Sequence, residues 1–135
     1  MNFGSALEET VFATLPPIVR SYLESYNAMD VASLVACVSD TVVFEHVSNA
    51  GDSIKVEGRA SFAHLAAQAA AHFVWRRQTV RTAVVDDARV ALEIDWSGVP
   101  AVDLGAMKAG QEAMRRGASF MTIVDGKLAE IVDLS

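Results

Sequence analysis

Tyr22 and His46 are the two side chains of this sequence best suited to hold a developing negative charge on oxygen and to carry a proton. A phenol can donate to an oxyanion, an interaction that strengthens in a dry site. Imidazole, with an unperturbed pKa of about 6.5, takes up and returns a proton near neutrality. Their spacing gives each a direction. Ile18, Tyr22 and Tyr26 recur at the four-residue helical step, with Val19 and Leu23 on the adjoining stripe, so Tyr22 faces inward from a helix. Residues 41–47 are rich in β-branched and aromatic side chains, and period two puts Val42, Phe44 and His46 on one face of a strand. Glu45 falls on the other face with Thr41, Val43 and Val47, so the face without a carboxylate is assigned inward, opposite Tyr22. Each residue also has a plain structural use, as a core tyrosine tied to a polar neighbour or as a satisfied interior histidine.

Other groups carry weaker signals. Glu93 and Asp95 share a strand face and could split their pKa values as an acid and base, although such a row is more often solvated. His64 and His72, with Gln68 between them, form a helical stripe that lacks the further ligands a metal needs, so no metal site is expected. Arg76, Arg77 and Arg81 could meet an acidic ligand, but Arg77 and Arg81 fall on one strand face and Arg76 on the other, and cross-strand pairing to Glu and Asp is their expected use. Phosphate-cradling glycine motifs and nucleophile elbows are absent from the sequence.

Several elements must position these groups. Ser5 to Glu8 has capping-box spacing ahead of a leading helix. Thr14, Pro16 and Pro17 mark the start of the Tyr22 helix, and Asp30 caps a short one carrying Val31, Leu34, Val35 and Val38. After the His46 strand, residues 49–52 read as a turn, 54–57 as a short strand, and Gly58 opens an alanine-rich helix over 59–72. Strands follow over 74–85 and 89–97, with Gly98 and Pro100 ending the second. Residues 99–116 read as loop, then strand from about Gln111. Asp125-Gly126 supplies a tight hairpin turn between two alternating apolar runs. Helices first and a meander afterwards predict one α+β domain over 1–135, a cone-shaped curved antiparallel sheet with three N-terminal-half helices on its concave face.

Composition narrows the partners. The chain has 135 residues, 52% of them apolar, which suits a single packed domain and leaves apolar surface for a homodimer. The mean hydropathy of +0.28 argues against disorder. A net charge of −6 without a basic run disfavours nucleic acid and anionic membrane as partners. Cys37 is the only cysteine, and the N-terminal residues lack a signal-peptide layout, so a cytoplasmic location is expected.

Three stretches resemble the nuclear transport factor 2-like superfamily, which includes ketosteroid isomerases and SnoaL-like polyketide cyclases. YLESYNAMDVASLVACVSDTVVFEH is similar to its first helix, corner, second helix and first strand, VEGRASFAHL to its entry into the next helix, and GASFMTIVDGKLAEIVDL to its closing hairpin. The resemblance implies a pocket between helices and sheet, and a dimer made through the sheet. It puts Tyr22 at the isomerases' oxyanion-donating tyrosine, His46 at their aspartate base, and Ser119 where they keep a protonated aspartic acid. The base and the second donor are therefore both replaced. The implied activity is cofactor-free isomerisation, cyclisation or dehydration of a small apolar carbonyl compound, with Phe44, Tyr26, Trp75, Ser119 and Met121 as ligand contacts. The same fold also serves noncatalytic binding and interaction domains. A cavity reaching Tyr22 and His46 would favour ligand handling, and one filled by Phe44, Trp75 or Met121 a scaffold.

Overall fold

The computed structural model describes residues 3–135. In chain order it has α1 (Phe3–Ala13), α2 (Pro17–Asn27), α3 (Val31–Ala36), β1 (Val38–Val47), β2 (Ser53–Glu57), α4 (Arg59–Ala71), β3 (Phe73–Asp86), β4 (Arg89–Pro100), β5 (Ala113–Val124) and β6 (Lys127–Leu134).

The start and stop residues act largely as their chemistry dictates. Asp30 accepts the Ser33 backbone amide at 3.1 Å and so caps α3. Pro17 occupies the first turn of α2, where a missing N–H costs no helical bond. Thr14 has a different use from the one expected, since its hydroxyl donates to the Val11 carbonyl at 2.6 Å and closes α1. α1 begins at Phe3, ahead of Ser5, so the Ser5 to Glu8 spacing does not mark its start. Asp125 and Gly126, at φ of 51° and 74°, make the β5–β6 turn.

The strands form one curved sheet in the order β2-β1-β6-β5-β4-β3. Four of the five pairings are antiparallel, but β6 returns alongside β1 in parallel, so the sheet is mixed where an antiparallel one was expected. Local hairpin signals cannot reveal that pairing, because its two strands come from opposite ends of the chain. β4 also runs on through Gly98 to Pro100, with the Ala101 amide bonded to the His72 carbonyl at 2.8 Å.

The core lies between helices and sheet. Val19 and Leu23 of α2 and Leu34 of α3 join Val42, Leu92, Met121, Leu128 and Ile131 of the sheet in one buried cluster. The opposite face of the sheet carries a cross-strand ion network, with Arg81 to Asp95 and Arg116 to Glu93 each at 2.9 Å. Beside it lie Phe120, 45% exposed, and Val84, 67% exposed.

Candidate functional site

A cavity of about 300 Å³ opens between α2, α4 and the concave side of the sheet, with Phe44, Phe62, Leu65, Ile94 and Trp96 among its walls. Tyr22, Tyr26 and His46 line it together. The helical step of α2 and the pleat of β1 thus send Tyr22 and His46 into one space, as their periodicities require.

Tyr22 is 3% exposed, and its hydroxyl has no hydrogen-bond partner among the described residues. Burial first, and then the charge of Asp133, raise its pKa well above the ordinary phenol value. The group therefore stays protonated throughout the physiological range and keeps a proton to donate. Tyr26, one turn further along α2, is committed to the wall. Its hydroxyl accepts from Trp96 Nε1 at 3.0 Å, and the Arg76 guanidinium lies 3.8 Å from its ring centre.

His46 approaches Ser135 Oγ through Nε2 at 2.8 Å and stands in register with Asp133 across the β1–β6 pair. Asp133 also lines the cavity, and Ser119 Oγ donates to its carboxylate at 2.6 Å. Burial pushes the Asp133 carboxyl above its ordinary value, while the Ser119 hydroxyl and the His46 charge pull it back. A hydroxyl donor, an imidazole and a carboxyl of raised pKa thus face one apolar space, a set able to move a proton and hold an enolate oxygen.

The other expected contacts divide. Phe44 forms a wall and meets Phe62 edge-on, with ring centres 5.7 Å apart, without closing the cavity. Trp75 is no cavity residue. The β3–β4 register shifts between Phe73 and Trp75, so Phe73 and Arg76 face inward while Trp75 is turned out and 39% exposed. Met121 faces inward but lies in the core beneath the cavity, paired across strands with Val90 and Ile131. Ser119 is buried behind Asp133 and reaches the cavity only through that carboxylate.

Asp133 is the cavity residue absent from the sequence reading, and Arg76 is the one it expected to pair with strand carboxylates. Both had a signal. Ile131 belongs to the core, so period two carries Asp133 to the same side, and Val80 does the same for Gln78 and Arg76. Glu93 and Asp95 lie on the outer face and pair there with Arg81, and with Arg116 at the cavity's rim, so neither carboxylate enters the cavity, and His64 and His72 are exposed on and just after α4.

The family model of the SnoaL-like domain matches residues 19–131. No curated protein matches the sequence. Among solved structures, a candidate polyketide cyclase from Xanthomonas campestris pv. campestris is 25% identical, with a TM-score of 0.68, over 95% of this chain and 92% of that one. A candidate polyketide cyclase from Pseudomonas putida KT2440 is 24% identical, with a TM-score of 0.68, over 87% of this chain and 88% of that one. A protein of ketosteroid isomerase-like fold from Catenulispora acidiphila DSM 44928, solved with trimethylamine, is 16% identical, with a TM-score of 0.72, over 89% and 85% of the two chains.

Proposed function

The chain belongs to the SnoaL-like domain family, and from that premise we propose that it is a cofactor-free enzyme moving protons on a small, mostly apolar carbonyl compound, as an isomerase, cyclase or dehydratase. The observation that carries the reading is the meeting of Tyr22, His46 and Asp133 in one apolar cavity. His46 takes the proton from the carbon beside the carbonyl, and the electrons of the broken C–H bond move onto the carbonyl oxygen. Tyr22, whose hydroxyl has no other partner, donates to that oxygen. Asp133, in register with His46, offsets the positive charge the imidazole acquires. Return of the proton to another carbon completes an isomerisation, and attack of the enolate on a second carbonyl carbon, whose oxygen takes the electron pair and the proton held by His46, completes a cyclisation.

Ketones, enones and 1,3-diketones incubated with the protein in deuterated buffer test the reading. Enzyme-dependent exchange beside the carbonyl, lost in Tyr22→Phe and His46→Ala, is expected. Tight binding without exchange by any compound would leave a noncatalytic ligand carrier in its place.

The proposal includes a homodimer through the outer face of the sheet, where Val84 and Phe120 are exposed and Val43, Val47 and Val132 are half-buried. It also includes a cytoplasmic setting. No helix among the described residues is long and apolar enough to cross a membrane.

A further inference from the structure

Arg76 is the most unusual polar residue of the cavity. It is 4% exposed, its Nε is enclosed without an acceptor, and no carboxylate pairs with it among the described residues. Its recorded contact is the face of Tyr26, at 3.8 Å. A guanidinium cannot shed its charge, and a buried, unpaired one is costly, so a fold that retains it calls for a compensating group. The cavity's own carboxylate does not serve, because Asp133 is engaged by Ser119 and His46 at the β1–β6 end. Arg76 stands on β3, the opposite edge strand of the β6-β5-β4-β3 run. Arg115, exposed and without an ion pair among the described residues, also lines the cavity and is in register with Trp96. This cationic end belongs to a chain whose net charge is −6, so it is a local arrangement rather than a consequence of composition.

We propose that Arg76 is an anion-binding subsite and that the ligand is a carboxylic acid whose carboxylate pairs with the guanidinium while its carbonyl lies between Tyr22 and His46. The inference rests on the small-molecule reading of the cavity and adds the ligand's chemical class and orientation. α2 supplies the scale. Tyr22 marks the reacting end and Tyr26 the Arg76 end, and four residues of helix rise about 6 Å. The acid group therefore sits roughly one ring width or more beyond the reacting carbonyl, across an apolar body that Phe44, Ile94 and Trp96 enclose.

Two probes of one skeleton test this: 6-acetyl-2-naphthoic acid and its neutral carboxamide, titrated against wild type, Arg76→Met and Arg76→Lys by calorimetry at neutral pH. Wild type is expected to bind the acid about tenfold or more tightly than the carboxamide, a charge-assisted bidentate pair being worth at least that. Arg76→Met should abolish the preference and leave carboxamide affinity almost unchanged. Arg76→Lys should restore part of it, since a point charge remains but the planar fork is gone. Equal affinity of wild type for both probes would overturn the anion subsite and leave the small-molecule reading standing. Binding of neither probe would overturn both. Should Arg76→Met not fold, the wild-type comparison of acid and carboxamide decides alone.

Discussion

His46 and Asp133 stand opposite one another in the parallel pairing of β1 and β6, with both side chains turned into the cavity. The carboxyl is held above its ordinary value of 3.8, chiefly by burial, so the folded chain binds that proton more tightly than the unfolded chain. The sign of the linkage follows. The contribution to stability is complete below the ordinary value and is lost as pH rises through the raised one. Asp133→Asn removes this titration. Its melting temperature relative to wild type should be higher at neutral pH than at pH 4, and a difference between the two proteins that does not vary with pH would contradict the account.

Tyr22→Phe keeps the ring in the core and deletes a hydroxyl that bonds to nothing among the described residues. Stability should change little. Turnover of any compound found to exchange protons should fall about 10²-fold or more, the usual consequence of losing one oxyanion donor. A rate unchanged within error would remove Tyr22 from the chemistry.

Local periodicity carried the elements of the fold and the direction of two side chains of the candidate site. Asp30 as a cap, Asp125-Gly126 as a turn, Tyr22 on the inner stripe of α2 and His46 on the inner face of β1 each depend on neighbours in sequence. The parallel β1–β6 pairing depends on none, and it is what puts Asp133 beside His46. Trp75 was misjudged for a related reason, because the register shift after Phe73 reverses a face that alternation alone would have kept. Arg76 was placed on the correct side of its strand and given the wrong surroundings. Its partner there is the Tyr26 ring, and a cation over an aromatic face leaves no charge pattern to read in a sequence.

His46→Ala should abolish enzyme-dependent proton exchange, while affinity for a neutral ligand changes far less. A histidine that only satisfies Ser135 would show the reverse, a lower melting temperature with exchange intact. Measuring both separates the two roles.

The proposed dimer through the outer sheet face would bury Phe120 and Val84, both exposed in the single chain. Phe120→Asp would add a charge there and should yield a monomeric mass by light scattering where wild type gives a dimer. A monomeric wild type at micromolar concentration would remove the dimer from the proposal.

Gly117 couples the fold to the site most directly. It lies opposite Ile94 on β4, and a methyl group at its Cα would run into the backbone carbonyl of Leu134 on β6. Neither backbone can swing aside as a long side chain would, so Gly117→Ala has to push the end of β6 outward. That end carries Asp133 and Ser135, the neighbours of His46. The substitution should therefore destabilise by about 1–3 kcal/mol, seen as a lower urea midpoint at unchanged slope. It should also weaken ligand binding, although Gly117 offers a ligand no side chain. An unaltered midpoint would mean that β6 yields freely at Leu134, and the close β5–β6 approach would then not be what holds Asp133 beside His46.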